Sequence, residues 1–284
     1  MKTLEEALKE GSLYLSEKNI PDASVDSWLL LSFCCKIDRA RFFLNRESTL
    51  THEEYNRYKK LIQLRGEHIP LQHLTNEQEF MGLSFYVNED VLIPRQDTEI
   101  LVEEILKVSE GKRILDICTG SGCIIISLDK LSNIDSGVGA DISGKALAVA
   151  RRNGAALGSG VTFIQSDIYS QVTGTYDIIV SNPPYIPTGD IPALMEEVRV
   201  HEPMIALDGE ADGLYFYRII CNHLVEFLAP GGYVFFEIGY NQGKDVQSLL
   251  KEAGMTDIKI TKDLAGLDRV VSARLKKECE EPFT

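Results

Sequence analysis

The tetrapeptide Asn182–Tyr185, "NPPY", carries groups that could hold a nitrogen nucleophile in place. It follows an apolar run, "YDIIVS", which its prolines end, because proline has no N–H for a sheet ladder and restricts the residue before it. The side-chain oxygen of Asn182 and the carbonyl of Pro183 can each accept a hydrogen bond. Tyr185 offers a ring face to a flat group, and Pro184 helps to stiffen the corner. These residues suit a planar amide or amino group whose nitrogen must be aimed at an electrophile.

Three acidic residues at successive strand ends indicate a nucleoside-type ligand beside this corner. Asp116 opens the turn "DICTGSG", and Asp141 and Asp167 end the next two predicted strands. Ligands of open α/β sheets bind beyond the carboxyl ends of the strands, where an acidic residue can accept hydrogen bonds from ribose hydroxyls. Gly120 and Gly122 let the backbone approach such a ligand closely. We therefore expect Asp141 to bind a ribose and Asp167 to lie beside an adenine.

The motifs that are missing narrow the choice of ligand. A dinucleotide fingerprint would place glycine where this chain has Ile125, and a phosphate-binding loop would need a Gly-Lys-Ser/Thr triplet that the sequence lacks. What remains is an adenosine without polyphosphate, and S-adenosylmethionine fits, since an acidic cleft tolerates its sulfonium. Together with the corner, this predicts methyl transfer to a nitrogen.

The elements that must position these residues alternate between strand and helix from Lys112 onward. Short apolar runs are separated by segments of helical periodicity, which predicts a mostly parallel sheet covered by helices. These runs are "RILDI", "SGVGAD", "VTFIQ", "YDIIVS" and "GYVFFEI". Two final runs, "TDIKIT" and "RVVSARL", lack a full helix between them and are predicted to pair antiparallel at the sheet edge.

The first 75 residues are predicted to form helices. "TLEE" at Thr3–Glu6 and "THEE" at Thr51–Glu54 match the capping box, and Gly66 is a suitable end for the helix that begins with the second. Between these boxes, "SWLLLSFCC" is apolar nearly all round and should lie at the centre of a small bundle. The mixed aromatic and β-branched stretch from residue 78 predicts a hairpin linker. Asp97 or Thr98 is then expected to cap a helix that runs to about residue 108.

Composition limits the class of protein. The 284 residues include 29 basic and 43 acidic side chains, a net charge of −14, which weighs against nucleic-acid binding through phosphate neutralisation. No stretch approaches the roughly 20 apolar residues of a membrane span, and the N-terminus lacks an apolar signal segment. We therefore expect a cytoplasmic protein. The six cysteines lack zinc-binding spacing, so no metal site is expected.

Several motifs together resemble a known family, the peptide chain release factor glutamine N5-methyltransferases, also called the HemK or PrmC family. The motifs are "IPRQDTE", "LDICTGSG", "GAD", "SNPPYIP", "HEPMIALDGEADGL" and "FEIGYNQG". The resemblance covers essentially the whole chain. It implies a Rossmann-like, seven-stranded class I methyltransferase domain over residues 97–284. A β-hairpin linker over residues 76–96 and a small helical bundle over residues 1–75, which helps to dock the substrate, would precede it.

The resemblance also implies roles for individual residues. Cys118, Thr119, Gly120, Ser121 and Gly122 would line the methionine part of S-adenosylmethionine, with Asp141 at its ribose and Asp167 and Ile168 near adenine. Asn182, which would also border the cofactor, and Pro183, Pro184 and Tyr185 would hold the substrate. That substrate would be the glutamine in the Gly-Gly-Gln motif of class-1 release factors, and the enzyme is expected to act as a monomer.

Two departures from the family pattern bear on these roles. The family often has glycine where this chain has Cys118, and a small residue fits there provided that its φ is negative. The family usually has proline where Gln96 stands, so the segment before the helix is expected to be less rigid. Neither departure touches the groups that would grip an amide.

Other functions stay open at this stage. A related enzyme that methylates a ribosomal-protein glutamine would use the same corner. An adenine-N6 nucleic-acid methyltransferase would also use it, but base methylation in a duplex requires flipping and a basic groove, which the charge disfavours. A non-catalytic cofactor-binding scaffold would have no use for Asn182 and Tyr185. We assign no general base among Glu197, His201, Glu202 and Glu237, since water can take the amide proton after alkylation. Glu202 is expected to tie down the loop that follows the corner.

Overall fold

A computed structural model describes residues 2–276, which divide into two compact units. The first comprises the residues up to Glu77 together with Met195–His201, and the second comprises Gln78–Leu194 and the residues from Glu202 onward. The predicted domain bounds of 1–75, 76–96 and 97–284 stay a prediction. Cys279 and the end of the last predicted domain lie outside the described residues.

The first unit is helical. Its helices are α1 (Leu4–Glu17), α2 (Ala23–Cys35), α3 (Arg39–Asn45), α4 (His52–Gly66), α5 (Leu71–Thr75) and the short α9 (Glu196–His201). Both capping boxes are confirmed: Thr3 with Glu6 and Thr51 with Glu54 satisfy each other's backbone amides. Helix α4 does end at Gly66, but the glycine serves packing there, because a Cβ would lie 2.6 Å from the Tyr14 ring.

Helix α2 supplies much of the core of this unit. Trp28, Leu30 and Leu31 are buried, which confirms the predicted central position, although Leu29 remains 41% exposed on the outer side. A buried arginine adds a polar connection within the unit. Arg65 of α4 lies 2.7 Å from the carboxylate of Asp26 in α2 and 2.9 Å from that of Glu197 in α9. Glu197 is therefore occupied by an ion pair in the helical unit.

A β-hairpin lies within the stretch that was predicted to form a linker. Strands β1 (Glu77–Phe80) and β2 (Leu83–Tyr86) form a two-stranded sheet. The connecting residues Met81 and Gly82 both have positive φ, 53° and 72°. This is the geometry that a tight two-residue hairpin turn requires, because its twist then matches that of the strands.

The second unit is built on a seven-stranded sheet. Its strands are β3 (Arg113–Ile117), β4 (Ser136–Asp141), β5 (Thr162–Gln165), β6 (Tyr176–Ser181), β7 (Leu228–Glu237), β8 (Thr256–Lys262) and β9 (Asp268–Arg274). Their order is β5-β4-β3-β6-β7-β9-β8. The first five strands pair in parallel, whereas β9 runs antiparallel to both β7 and β8. All seven strands, and the antiparallel pair at one edge, are as predicted.

Helices connect these strands and cover buried apolar clusters. They are α6 (Gln96–Leu106), α7 (Cys123–Leu131), α8 (Gly144–Leu157), α10 (Tyr215–Phe227) and α11 (Gly243–Glu252), with 3₁₀ turns at Thr188–Ala193 and Met204–Ala206. No helix within residues 2–276 combines the length and apolarity that a bilayer crossing requires. Within the same residues, no group of three or more His, Cys, Asp or Glu side chains is arranged to bind a metal ion.

The start of α6 differs from the prediction. Arg95 occupies the N-cap position, without a side-chain cap, and neither Asp97 nor Thr98 caps the helix. Asp97 instead lies 3.2 Å from Arg269, and Thr98 is buried, 2% exposed. Both side chains therefore make tertiary contacts, and a tertiary partner outweighs the local capping preference that the sequence suggested.

Candidate active site

The register of the central strands brings the predicted site residues to one edge of the sheet. Ile117 of β3 pairs with Ala140 of β4 on one side and with Ser181 of β6 on the other. The residues that follow these three are Cys118, Asp141 and Asn182. Because parallel strands end at the same edge, the glycine turn, the acidic residue and the "NPPY" corner lie side by side there.

These strand ends border a cavity of about 150 Å³. The predicted residues that line it are Cys118, Thr119, Gly120, Ser121, Asp141, Asp167, Ile168, Asn182 and Pro184. Three predicted residues, Gly122, Pro183 and Tyr185, do not line it. The cavity is also lined by Pro94, Arg95 and Thr98 near the start of α6, by Pro203, Ile205 and Ala206, and by Phe216.

The two glycines of the turn have different roles. Gly120 has a φ of 56°, and a Cβ there would meet nothing within 4 Å, so the backbone borders open space on that side. Gly122 has a φ of 79° and begins α7, and a Cβ there would lie 2.9 Å from the Ile126 side chain. Gly120 thus leaves room for a close ligand, whereas Gly122 serves the tight turn and its packing.

Asp116 holds the turn together from below. Thr119 Oγ1 donates to Asp116 Oδ2 at 2.6 Å, and Asp116 is fully buried. Burial raises the pKa of this carboxyl from 3.8 to about 7, because the charged form is poorly solvated. Its other oxygen, Oδ1, has no hydrogen-bond partner among the described residues. Asp116 supports the turn and does not line the cavity.

Asp141 is fixed by the two loops on either side of it. The Gly120 N–H donates to Oδ2 at 2.8 Å and the Ser143 N–H donates to Oδ1 at 2.9 Å. Burial raises the pKa of this carboxyl, although both amide bonds favour its charged form. Each carboxylate oxygen retains further acceptor capacity. A ribose with two neighbouring hydroxyls suits such a carboxylate, oriented in advance at the cavity wall.

Asp167 and Ile168 add a polar and an apolar residue to the cavity lining. Asp167 is exposed, whereas Ile168 is buried with a φ of 48°. Ser166 Oγ donates to the Ile168 carbonyl at 2.9 Å, which holds this unusual turn. A flat heterocycle with a polar edge would match an apolar wall and an adjacent carboxylate.

The backbone conformation of Cys118 differs from the prediction. Its φ is 62°, in the left-handed region that glycine favours, so the expectation of a negative φ is wrong. The following Thr119 N–H donates to the Ala140 carbonyl at 3.0 Å, which makes the turn leave β3 sharply. Burial, together with the charges of Asp141 and Asp116, raises the pKa of the Cys118 thiol. The thiol therefore stays protonated and weakly nucleophilic.

Asn182 contacts Thr98, one of the two residues predicted to cap α6. Its side-chain Nδ2 donates to Thr98 Oγ1 at 3.5 Å, and its amide oxygen takes no part in this hydrogen bond. The side chain is half-buried and lines the cavity. Pro183 is buried, and its carbonyl accepts no backbone hydrogen bond within the described chain. Two acceptors are therefore present at adjacent positions of the corner.

Tyr185 is held at both ends. Its hydroxyl donates to Glu237 Oε1 at 3.4 Å, and its carbonyl accepts from Gln242 Nε2 at 2.9 Å. Burial and the Glu237 carboxylate raise the pKa of the Tyr185 hydroxyl, which therefore stays neutral. The side chain packs against the apolar core and does not line the cavity.

The segment "LDGEADG" backs the corner through glycines. The Ile186 N–H donates to the Leu207 carbonyl at 3.1 Å, and the Gly209 N–H donates to the Ile186 carbonyl at 2.8 Å. A Cβ on Gly209 would lie 2.7 Å from Tyr185 Cα, and one on Gly213 would lie 2.2 Å from the Tyr185 carbonyl oxygen. This motif thus has a physical reason, because its glycines let two backbones pack face to face behind Tyr185.

Several contacts around this corner were not predicted from the sequence. Thr98 contacts Asn182, and Glu237 contacts Tyr185. Arg95 pairs with Glu202, which is consistent with the expected tie for the loop after the corner. Arg95 and Thr98 both fall within the motif "IPRQDTE", which therefore indicated that this stretch belongs to the site. Their partners lie about 80 to 110 positions away in sequence, so no local pattern predicts these contacts.

Comparison with known proteins gives consistent matches over most of the chain. Residues 6–75 match the family described as PrmC N-terminal domain, and residues 95–202 match the methyltransferase small domain family. A release factor glutamine methyltransferase of Geobacter sulfurreducens is 40% identical over 92% of this chain and 93% of its own length. One of Clostridium acetobutylicum is 39% identical over 95% of this chain and 98% of its own. A crystal structure of a methyltransferase from Pyrococcus furiosus shares the fold, with a TM-score of 0.54 and 21% identity over 69% of this chain and 90% of that one.

Proposed function

The chain belongs to the release factor glutamine methyltransferase family, and we propose that it methylates the side-chain amide nitrogen of a release factor glutamine. The proposed methyl donor is S-adenosylmethionine, and the proposed substrate is the glutamine of the Gly-Gly-Gln motif of class-1 release factors. The observation that carries the proposal is the position of Asn182, whose amide borders the cavity beside the glycine turn.

The cavity supports S-adenosylmethionine as the ligand. Asp141, held by two backbone amides, would accept hydrogen bonds from the ribose hydroxyls, and Asp167 with Ile168 would border the adenine. The open space above Gly120 leaves room for the methionine part along the turn from Cys118 to Ser121. Asp116 supports the turn from below. When bound, the cofactor supplies an electrophilic methyl group on a sulfonium, and S-adenosylhomocysteine remains after transfer.

The role proposed for the corner is to orient a weak nucleophile. The lone pair of an amide nitrogen is delocalised, so the nitrogen must be aimed at the methyl group. Asn182 Oδ1 would accept one N–H of the substrate amide and the Pro183 carbonyl the other, with Tyr185 packing behind them. Both prolines keep these acceptors in place before the substrate arrives, which lowers the reorganisation that the reaction requires.

No residue need act as general base in this proposal. Glu197 is paired with Arg65, and Glu202 with Arg95. Glu237 is buried beneath Tyr185 and does not line the cavity. The amide nitrogen becomes strongly acidic once it is alkylated, so water at the cavity mouth suffices to take the proton.

The helical unit is proposed to help dock the release factor, with the enzyme acting as a monomer. A small pocket lined by Tyr14, Tyr55 and Tyr58 lies on this unit. The charge of −14 supports a protein substrate over nucleic acid. A role in translation termination would place the protein in the cytoplasm, and that location stays a prediction.

The test is mass spectrometry of a purified class-1 release factor after incubation with this protein and S-adenosylmethionine. We expect a gain of one methyl group on the Gly-Gly-Gln glutamine, and no gain with Asn182→Ala. Absence of methylation by the unaltered protein, with cofactor binding intact, would refute the proposed substrate. Ribosomal proteins and then nucleic acid would be the next substrates to assay.

A further inference from the structure

The peptide group that joins Tyr185 to Ile186 is held from both sides. The Ile186 N–H donates to the Leu207 carbonyl at 3.1 Å, and the Tyr185 carbonyl accepts from Gln242 Nε2 at 2.9 Å. The two prolines that precede it in the corner have no N–H, so neither can fasten the chain by donating a backbone hydrogen bond. This peptide group therefore fixes the end of the corner that lies farther from strand β6.

Gln242 holds this peptide group with a side-chain amide that is paired at both ends. Its Nε2 donates to the Tyr185 carbonyl and, at 3.2 Å, to the Gly213 carbonyl, while its Oε1 accepts from the Gly239 N–H at 2.9 Å. The residue is 6% exposed. Exchanging the nitrogen and the oxygen would turn the oxygen toward two carbonyl oxygens, which cannot donate, so the amide is held in one orientation.

A glycine leaves the space that this arrangement needs. A Cβ on Gly213 would lie 2.6 Å from Gln242 Nε2 and 2.2 Å from the Tyr185 carbonyl oxygen. The two carbonyl partners of Gln242 lie 57 and 29 positions away in sequence. One buried amide thus joins the corner, the segment "LDGEADG" and the turn after β7.

The proposed function, on which this inference rests, requires the two acceptors of the corner to be in place before the substrate arrives. These acceptors lie between two fixed points. At one, Ser181 of β6 donates through its Oγ to the Ile117 carbonyl at 2.6 Å. At the other, Gln242 holds the Tyr185 carbonyl. A shift of either point would move the acceptors, and a misplacement of about 1 Å in a reacting group can cost about 10²-fold in rate.

We propose that Gln242 is a positioning residue for methyl transfer, which fixes the acceptors of the corner by holding the Tyr185 carbonyl. Gln242 does not line the cavity, so its effect on the reaction passes through the corner. Its bond to Gly239 closes the turn after β7 and is structural. The two bonds that Nε2 donates are the ones that position the corner.

The test uses two substitutions that separate these bonds, assayed at pH 8.5 so that a new carboxyl is ionised. Gln242→Glu keeps an oxygen for the Gly239 N–H but replaces the donor with a second oxygen. Gln242→Met introduces no charge and removes both the donor and the acceptor. We expect each variant to lower kcat on the release factor about tenfold or more, because buried carbonyls lose their donor, with the affinity for S-adenosylmethionine within about twofold.

The matched control is Gln247→Glu, the same chemical change at a partly exposed position of α11. Its kcat should stay within about twofold of that of the unaltered protein, since surface substitutions have small effects. Full turnover of either Gln242 variant would overturn the proposal. Full turnover of Gln242→Glu with loss in Gln242→Met would show that the bond to Gly239 alone matters.

A second measurement does not depend on the substrate. The Ile186 N–H and the Gly209 N–H, which donates to the Ile186 carbonyl, should exchange with deuterium roughly tenfold faster in both Gln242 variants. Amides of the central strand β3 should keep their exchange rates in NMR spectra. Unchanged exchange at Ile186, or equally faster exchange in β3, would overturn a local positioning role. Failure of the unaltered protein to methylate the release factor would instead refute the proposed function and leave this measurement valid.

Discussion

Arg95 Nη2 donates to both carboxylate oxygens of Glu202, at 2.7 and 2.6 Å. Arg95 stands at the N-cap of α6, and Glu202 precedes Pro203, which lines the cavity as Arg95 does. The Glu202 side chain is 1% exposed and that of Arg95 is 39% exposed. The pair therefore joins two segments of the cavity wall that are far apart in sequence.

Loss of the arginine from this pair should destabilise the protein. Arg95→Leu leaves a buried carboxylate short of its cation, and we expect the free energy of unfolding in urea to fall by about 1–3 kcal/mol, less than for a fully buried pair because Arg95 is partly exposed. Arg218→Met, which removes the arginine of an exposed ion pair with Asp212, is the matched control and should cost less than about 1 kcal/mol. Equal losses for the two variants would contradict the structural role of the pair.

Asn182→Ala and Asp141→Ala should affect different steps. Removing the proposed amide acceptor should lower kcat by roughly 10²-fold or more while cofactor affinity changes only a few-fold. Asp141→Ala should mainly weaken cofactor binding, because the carboxylate that faces the cavity is lost. Steady-state kinetics with calorimetric titration of S-adenosylmethionine would distinguish the two patterns. Near-normal turnover of Asn182→Ala would exclude the proposed grip on the amide.

Gly213→Ala should damage the corner from behind. Its φ is 73°, and the new Cβ would lie 2.2 Å from the Tyr185 carbonyl oxygen. Gly174→Ala is the matched control, since Gly174 has a φ of 78° but nothing within 4 Å of the Cβ position. We expect the control to cost about 1 kcal/mol from its backbone conformation alone. Gly213→Ala should be substantially less stable in thermal unfolding and should also lose turnover, whereas equal melting temperatures would argue against the close approach.

Substitutions at Cys118 should follow backbone conformation more than side-chain size. With a φ of 62°, this position accommodates glycine easily and a β-branched residue poorly. We therefore expect Cys118→Gly to retain cofactor affinity and stability, and Cys118→Val to lose both. Thermal unfolding with and without S-adenosylmethionine would measure this. A Cys118→Val protein as stable as Cys118→Gly would show that the turn adapts.

The buried Glu237 should make stability depend on pH. Burial raises the pKa of this carboxyl from 4.5 to about 7; Thr98, Arg269 and Tyr185 favour its charged form and Asp97 opposes it. Between pH 4.5 and about pH 7, Glu237 therefore holds a proton in the folded state that it has released in the unfolded state. The group's contribution to the free energy of unfolding is therefore greatest below pH 4.5 and falls by about 1.4 kcal/mol per pH unit as the pH rises to about 7.

Urea unfolding of the unaltered protein and of Glu237→Gln at several pH values would measure this contribution. The stability of the glutamine variant relative to the unaltered protein should increase from pH 5 to pH 8. Asp116, whose pKa burial also raises to about 7, is present in both proteins and cancels in the comparison. A difference in stability that does not change with pH would mean that Glu237 is ionised throughout.

Helices and strands could be predicted from the sequence because the patterns that indicate them arise between residues close together in the chain. Capping boxes at Thr3 and Thr51 satisfy amides three residues away, and runs such as "YDIIV" place apolar side chains on a buried strand whatever surrounds them. The corner at Asn182–Tyr185 was equally readable, because the prolines restrict the backbone through their own rings.

The contacts that hold the site residues in place could be seen only in the tertiary structure. The sequence placed Thr98 at a helix start, whereas the folded chain uses its hydroxyl beneath Asn182. The positive φ of Cys118, the glycines behind Tyr185 and the Arg95–Glu202 pair likewise depend on segments that approach one another only after folding. Local propensities are worth a fraction of a kcal/mol, so a buried hydrogen bond or a close backbone approach outweighs them.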